Sequence, residues 1–275
     1  MVKSTGYVYL LGVVATINLI NYLSYAFLTS LATNPTFLLF ITIALYIPFV
    51  ALALYLRGEN IAAEILNNPY FSLTRTWGYV GVSLMLGSLI GAIALLSVAG
   101  VQGANPLDYF KYTANPNIVV SKNEAVSMAF ASLLVVGPSE ELIFRGLLYG
   151  ALLDSNKWRN WKRLNFIQAL GFGLSHLYYL FFLGLGSLVV ISAIAGMGYG
   201  LGWAYYRSGG GLTGPIVVHG VWDASAFLTL YSGTLVLGST GRVIIFVLMF
   251  ISALYLVSTK RVRQRPSTHP EGSGF

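Results

Sequence analysis

An all-α fold of about eight membrane-spanning helices enclosing a polar cavity is what this 275-residue sequence predicts. Three observations predict it. The first is composition: 56% of the residues are apolar and 9% charged, with a mean hydropathy of +0.72, whereas a soluble domain carries about 25% charged residues. The second is spacing: the apolar stretches recur at about the 20-residue length that a helix needs to cross the hydrocarbon core. The third is the bias of positive charge toward alternate loops.

The expected spans are Tyr7–Leu28, Phe37–Leu56, Trp77–Val101, Ala125–Leu153, Leu164–Leu185, Leu188–Tyr206, Leu212–Leu235 and Val243–Val257. The first follows Lys3 and exceeds the ~7–15 residues of a signal-peptide core, so it reads as an uncleaved span. With the N-terminus in the cytoplasm, twelve of the sixteen basic residues fall in inside segments and three outside, and Arg145 lies in the membrane. The expected topology is therefore a multi-pass protein with both termini cytoplasmic. The net charge of +7 follows from that bias and from attraction to anionic lipid headgroups; nucleic-acid binding is not needed to explain it. No cysteine is present, which excludes disulfides, thiolate metal sites and a cysteine nucleophile.

The chain reads as one integral membrane domain, 1–275. Residues 1–124 supply N-terminal spans without charged residues in the membrane, expected to face lipid. Residues 125–226 hold every ionisable group expected within it. Residues 260–275 form a basic, then Pro/Gly/Ser-rich cytoplasmic tail, expected to be disordered. It carries His269, which is therefore outside any site. The segment Arg57–Thr76 suits either an interfacial helix or a polar connector. The loop Gly103–Lys122 holds the turn signals Asn105-Pro106 and Asn115-Pro116. Gly196, Gly198, Gly200 and Gly202 form small-xxx-small pairs that allow close helix packing. Gly209-Gly210-Gly211 is a turn without the following lysine of a phosphate loop.

The fourth span contains Pro138-Ser139-Glu140-Glu141-Leu142-Ile143-Phe144-Arg145-Gly146. A charged side chain at a helix centre costs about 2.5–3.5 kcal/mol on insertion scales, so such residues mark a functional site by default. Glu141 and Arg145, four apart, can pair on one face. Glu140 is rotated by about 100° and is left for chemistry. Pro138 removes a backbone hydrogen bond beside the acids. The competing reading is a charge cluster that only fixes helix register.

Two of the three histidines lie in apolar spans, each with a partner one helical turn away: Phe172 with His176, and His219 with Asp223. Isolated polar groups in hydrocarbon are costly, so one shared cavity for the acids and imidazoles is expected. If such a cluster hydrolyses a peptide bond, the absence of cysteine leaves serine, a metal or carboxylate-activated water. Glu140 can act as general base on a water that neutral His176 also holds, and a donor histidine at 219 can stabilise an oxyanion. Two histidines and one or two carboxylates also suffice as zinc ligands, although no His-Glu-x-x-His motif is present. A Ser-His-Asp triad is possible on paper, since Ser139, Ser175 and Ser225 lie close to the acids and histidines, but none sits in a Gly-x-Ser-x-Gly elbow.

Glu-Glu-x-x-x-Arg, Phe-x-x-x-His and His-x-x-x-Asn/Asp, in this order on separate spans, resemble the CAAX-protease and bacteriocin-processing membrane family, also called the abortive-infection family. Its members include the type II CAAX prenyl endopeptidases. The resemblance covers roughly Ala125 to Ala226. It implies an active site in a membrane cavity, no resident cofactor, and a prenylated protein or peptide C-terminus as partner within membrane lipid. By this resemblance, Glu140 and His176 activate water, Glu141 and Arg145 are the supporting pair with Phe172 beside His176, and His219 is the oxyanion-side histidine. The last position, Asn in the prenyl endopeptidases, is Asp223 here. An amide can donate to an oxyanion and an ionised carboxylate cannot, so Asp223 either carries a proton or orients His219. A non-enzymatic immunity-type protein and a proton-coupled transporter are the alternatives from other classes. The transporter reading lacks inverted repeats.

Overall fold

The computed structural model describes residues 11–20, 22–23, 35–66, 73–106, 108, 122–156, 159–180, 184–231 and 251. These residues are helical, with turns between helices and no strand. In chain order the helices are α1 (Leu11–Ile20), α2 (Pro35–Leu66), α3 (Leu73–Gln102), α4, α5 (Trp161–Leu174), α6 (Ser187–Arg207) and α7 (Thr213–Tyr231). The run called α4 comprises consecutive pieces from Lys122–Ala131 to Gly150–Ser155. Arg75–Gln102, Ala125–Ser155 and Gly184–Arg207 are long and apolar enough to cross a membrane. Their outward faces carry large apolar side chains such as Leu89, Ile90, Ile93 and Leu134, as lipid contact requires. The eighth expected span and the basic tail lie outside the described residues, apart from Ile251.

Glycine sets how closely these helices approach. A methyl group on Gly196 of α6 would lie 2.2 Å from the Ser83 carbonyl oxygen of α3, and one on Gly200 would lie 2.6 Å from Val80 Cα. The α3–α6 contact is therefore backbone against backbone. Gly198 and Gly202, on the other face of α6, receive Phe172 and Asn165 of α5. A methyl on Gly137 of α4 would lie 2.8 Å from Gly220 Cα of α7. That approach delivers the neighbouring residue, His219, to the acids of α4. The core between these helices contains Tyr46, Ile143, Phe144, Phe172, Met197, Leu201 and Val218.

In the segment after the second expected span, residues 58–66 are helical. The backbone leaves helical values at Arg57 (φ −138°, ψ 20°), and beyond it Ile61 is buried in a cluster with Leu147, Tyr149, Leu152 and Leu212. Arg57 donates to Gly146 O, to Glu64 at 3.0 Å and to Asp154 at 2.9 Å. Tyr205 donates to Glu64 at 2.9 Å, and the amide of Leu212 reaches Glu64 O at 3.1 Å. Burial pushes the Glu64 carboxyl above its ordinary range, while Arg57 holds it down.

The fifth expected span, Leu164–Leu185, is not one continuous helix. The α-ladder ends at Leu174, and Ser175–Tyr178 form turns in which His176 N donates to Gly173 O at 3.0 Å and Tyr179 N to His176 O at 3.0 Å. Backbone groups freed inside an apolar bundle must find partners, and α1 supplies them. Asn18 Nδ2 donates to Leu174 O at 2.7 Å, and Tyr178 N donates to Asn18 Oδ1 at 3.0 Å. Apolarity alone did not reveal the break, because the chain turns hydrophobic again at Leu177 after Ser175 and His176.

Candidate active site

The Glu-Glu pair sits in a short α-helical piece, Gly137–Glu141, between two π-helical pieces, Ser132–Val136 and Leu142–Tyr149. π-turns inside α-helices are frequent at functional sites. Here they change the register on both sides of the acids, an outcome that Pro138 alone did not foretell. Glu140, Glu141 and Arg145 are all buried, so each needs a charged or hydrogen-bonding partner.

Glu141 and Arg145 are paired as their spacing implies, with Arg145 Nη1 donating to Glu141 Oε1 at 2.7 Å. The same oxygen accepts His219 Nδ1 at 2.7 Å. Glu141 Oε2 has no hydrogen-bond partner among the described residues, so Oε1 carries both contacts. The second guanidinium arm, Nη2, donates to Gly198 O at 3.0 Å. Gln168 Nε2 donates to the same carbonyl at 2.9 Å and to Asn165 Oδ1 at 2.7 Å. The Arg145 guanidinium also lies over the Phe172 ring, 4.5 Å from its centroid.

An ionised carboxylate only accepts, so the bond to Glu141 places a proton on His219 Nδ1 and turns Nε2 to the opposite side. Nε2 faces Glu140 Oε2 at 3.4 Å and Asp223 Oδ2 at 3.5 Å. Two acceptor oxygens against one ring nitrogen are compatible only when a proton lies between them, on His219 or on one of the acids. Asp223 is the most open member of the set, its side chain 24% exposed against 2% for His219.

Glu140 is not free, contrary to the expectation from sequence. Its Oε1 accepts the hydroxyl of Tyr46 from α2. The N-terminal spans are therefore more than a lipid-facing part: they send a polar group to the acids. Nothing marked Tyr46 among the eighteen tyrosines of the sequence, since a lone aromatic in an apolar span carries no spacing signal. The carbonyl of Gly198 was equally hidden, because its residue read as a packing glycine.

The structure brings Glu140, Glu141, Arg145, His219 and Asp223 into one contact set. Phe172 joins it as a wall, its ring edge-on to His219 at 5.5 Å and to His176 at 5.2 Å. His176 stands one ring further away, just past the end of α5. Its Nδ1 lies 2.8 Å from Phe172 O and 3.1 Å from Ser175 Oγ. The Phe-x-x-x-His spacing thus joins ring and carbonyl across a helix end. Ser175 and Ser225 donate to Phe172 O and Trp222 O of their own segments. No group of three or more His, Asp or Glu side chains among the described residues is arranged to hold a metal ion.

Residues 122–225 match the family described as type II CAAX prenyl endopeptidase Rce1-like. The resemblance carried by the three motifs therefore holds over the segment that contains the whole contact set, and Tyr46 lies outside it. No curated protein and no solved structure matches the chain.

Proposed function

We propose that this chain, whose residues 122–225 match the Rce1-like type II CAAX prenyl endopeptidases, is an intramembrane endopeptidase that cleaves a peptide bond near a prenylated C-terminus with carboxylate-activated water and no metal. The observation that carries this reading is the convergence of Glu140, Glu141 and Asp223 on the two nitrogens of His219. A cluster serving only to fix helix register needs Glu141 and Arg145; it does not need a second acid facing an imidazole whose tautomer is already set.

In this reading Glu140 takes a proton from water, with His176 packed against the same Phe172 ring as His219, and the hydroxide adds to the scissile carbonyl. His219 Nε2–H keeps its proton and turns its hydrogen bond from its carboxylate partners to the developing oxyanion. Electrostatic stabilisation by one such donor is worth about 10²–10³ in rate. Glu141 holds the imidazole in the tautomer that this requires, and Arg145 balances Glu141. Asp223 orients His219 through the one-turn contact. Collapse of the tetrahedral adduct returns the proton from Glu140 to the leaving amine, which completes the cycle. About eight spans, cytoplasmic termini and a water-accessible pocket on the Asp223 side complete the picture.

The test is hydrolysis of a farnesylated C-terminal peptide by the purified full-length chain, beside the same peptide without its prenyl group. The expected result is cleavage of the prenylated peptide alone, lost in Glu140→Gln and unchanged by chelators. A Glu140→Gln protein that cleaves normally refutes the reading; activity lost in chelator and restored by zinc refutes its metal-free part.

A further inference from the structure

Among the described residues, the hydroxyl of Tyr46 is the polar group that α2 presents to the acids. Ile47, Leu54 and Tyr55 are exposed on the outer side of that helix, while Tyr46 and Ala53 are buried on its inner side. At Tyr46 the inner side meets Glu140, and the two oxygens of that carboxylate are then divided. Oε1 accepts the phenol, and Oε2 faces His219 Nε2 at 3.4 Å. A carboxylate with one bond to water and one to the protein can swing about its last torsion, a broad two-fold rotor. One held from both ends cannot.

We propose that Tyr46 is a positioning residue for Glu140: its hydrogen bond to Oε1 fixes the carboxylate plane so that Oε2 is the oxygen that takes the proton from water. This inference rests on the proteolytic reading above and adds a residue outside the matched segment to its machinery. Tyr46 touches neither substrate nor the reacting water. It works through Glu140, and it joins α2 to a set otherwise drawn from α4 and α7. Orientation is what such a contact supplies, and a misplacement of about 1 Å can cost on the order of 10²-fold in rate.

The experiment compares the full-length wild type with Tyr46→Phe, Glu140→Gln, the double variant and Tyr55→Phe, using the farnesylated peptide as probe. Tyr55 is an exposed tyrosine on the same helix and controls for loss of a hydroxyl. The expected result is a kcat about 10- to 100-fold lower in Tyr46→Phe with KM within about twofold, no change in Tyr55→Phe, and no activity in either variant that carries Glu140→Gln. Thermal unfolding of the four-member cycle supplies the second measurement. Tyr46→Phe should lower the melting temperature of the wild type and lower that of Glu140→Gln by less, because the neutral amide loses less when the phenol is removed. If Tyr46→Phe alone fails to fold, the double variant should fold, for the same reason.

A wild-type kcat in Tyr46→Phe beside an inactive Glu140→Gln overturns the inference and leaves the proteolytic reading standing. An active Glu140→Gln overturns both. A parallel rise in KM, or additive melting-temperature changes across the cycle, also overturns the positioning role.

Discussion

His219 Nδ1 lies 2.7 Å from Glu141 Oε1, on the very oxygen that Arg145 Nη1 reaches at 2.7 Å. One carboxylate oxygen thus sets the tautomer of the histidine and neutralises the cation. Glu140, its immediate neighbour, contacts neither the guanidinium nor Nδ1. It meets Tyr46 and the far side of the same imidazole. Adjacent acids with separate partners should respond differently to substitution.

Glu141→Gln leaves Arg145 buried without its counter-charge, and breaking a buried pair from one side costs about 3–5 kcal/mol. The expected outcome is a melting temperature far below that of the wild type, or failure to accumulate in the membrane. Glu140→Gln should fold with a near-normal melting temperature and no hydrolysis. Thermal unfolding of both in one detergent compares them directly.

Arg145→Lys keeps a charge for Glu141 but gives up the planar fork that also reaches Gly198 O and lies over Phe172. Loss of one charge-assisted hydrogen bond and the ring contact should cost about 2–4 kcal/mol. Chemical denaturation reads this value. A Lys variant as stable as the wild type would mean that only the charge matters.

Asp223 lies one turn from His219 on α7. An amide in its place can still accept from His219 and can also donate to an oxyanion. Asp223→Asn should therefore keep kcat within about tenfold, whereas Asp223→Ala, which leaves His219 without its one-turn partner, should lower it by about 10- to 100-fold. Steady-state kinetics on the prenylated peptide decides between them.

Gly137 and Gly220 set the distance between α4 and α7. Gly137→Ala places a methyl 2.8 Å from Gly220 Cα, so the helices must part by several tenths of an ångström. The stability cost should be about 1–3 kcal/mol, and kcat should fall by about 10- to 100-fold, because His219 moves with its neighbour. Activity measured well below the variant's melting temperature separates the two effects.

The outline of this site was legible in the sequence because intramembrane charge is costly enough to be informative. Glu141 and Arg145 announced their contact by spacing, and so did His219 and Asp223. Three kinds of feature were hidden. Tyr46 has neither charge nor periodic partner. The π-turns around Gly137–Glu141 depend on how α4 packs, not on local propensity. The end of α5 at Leu174 is satisfied by Asn18, a residue 156 positions away, and no local pattern reports a bond of that range.

Arg145 has a further consequence for how the protein is made. Its carboxylate partner leaves the ribosome four residues ahead of it on the same segment, whereas the carbonyl of Gly198 follows 53 residues later; the imidazole of His219 comes 78 residues after Glu141. The nascent segment can enter the bilayer as a self-neutralised ion pair, and the later helices then find that pair already in place. A swap of the two residues, Glu141→Arg with Arg145→Glu, would keep the segment as easy to insert and yet strand the guanidinium against His219. Biogenesis and the finished site are thereby separable by their order in time.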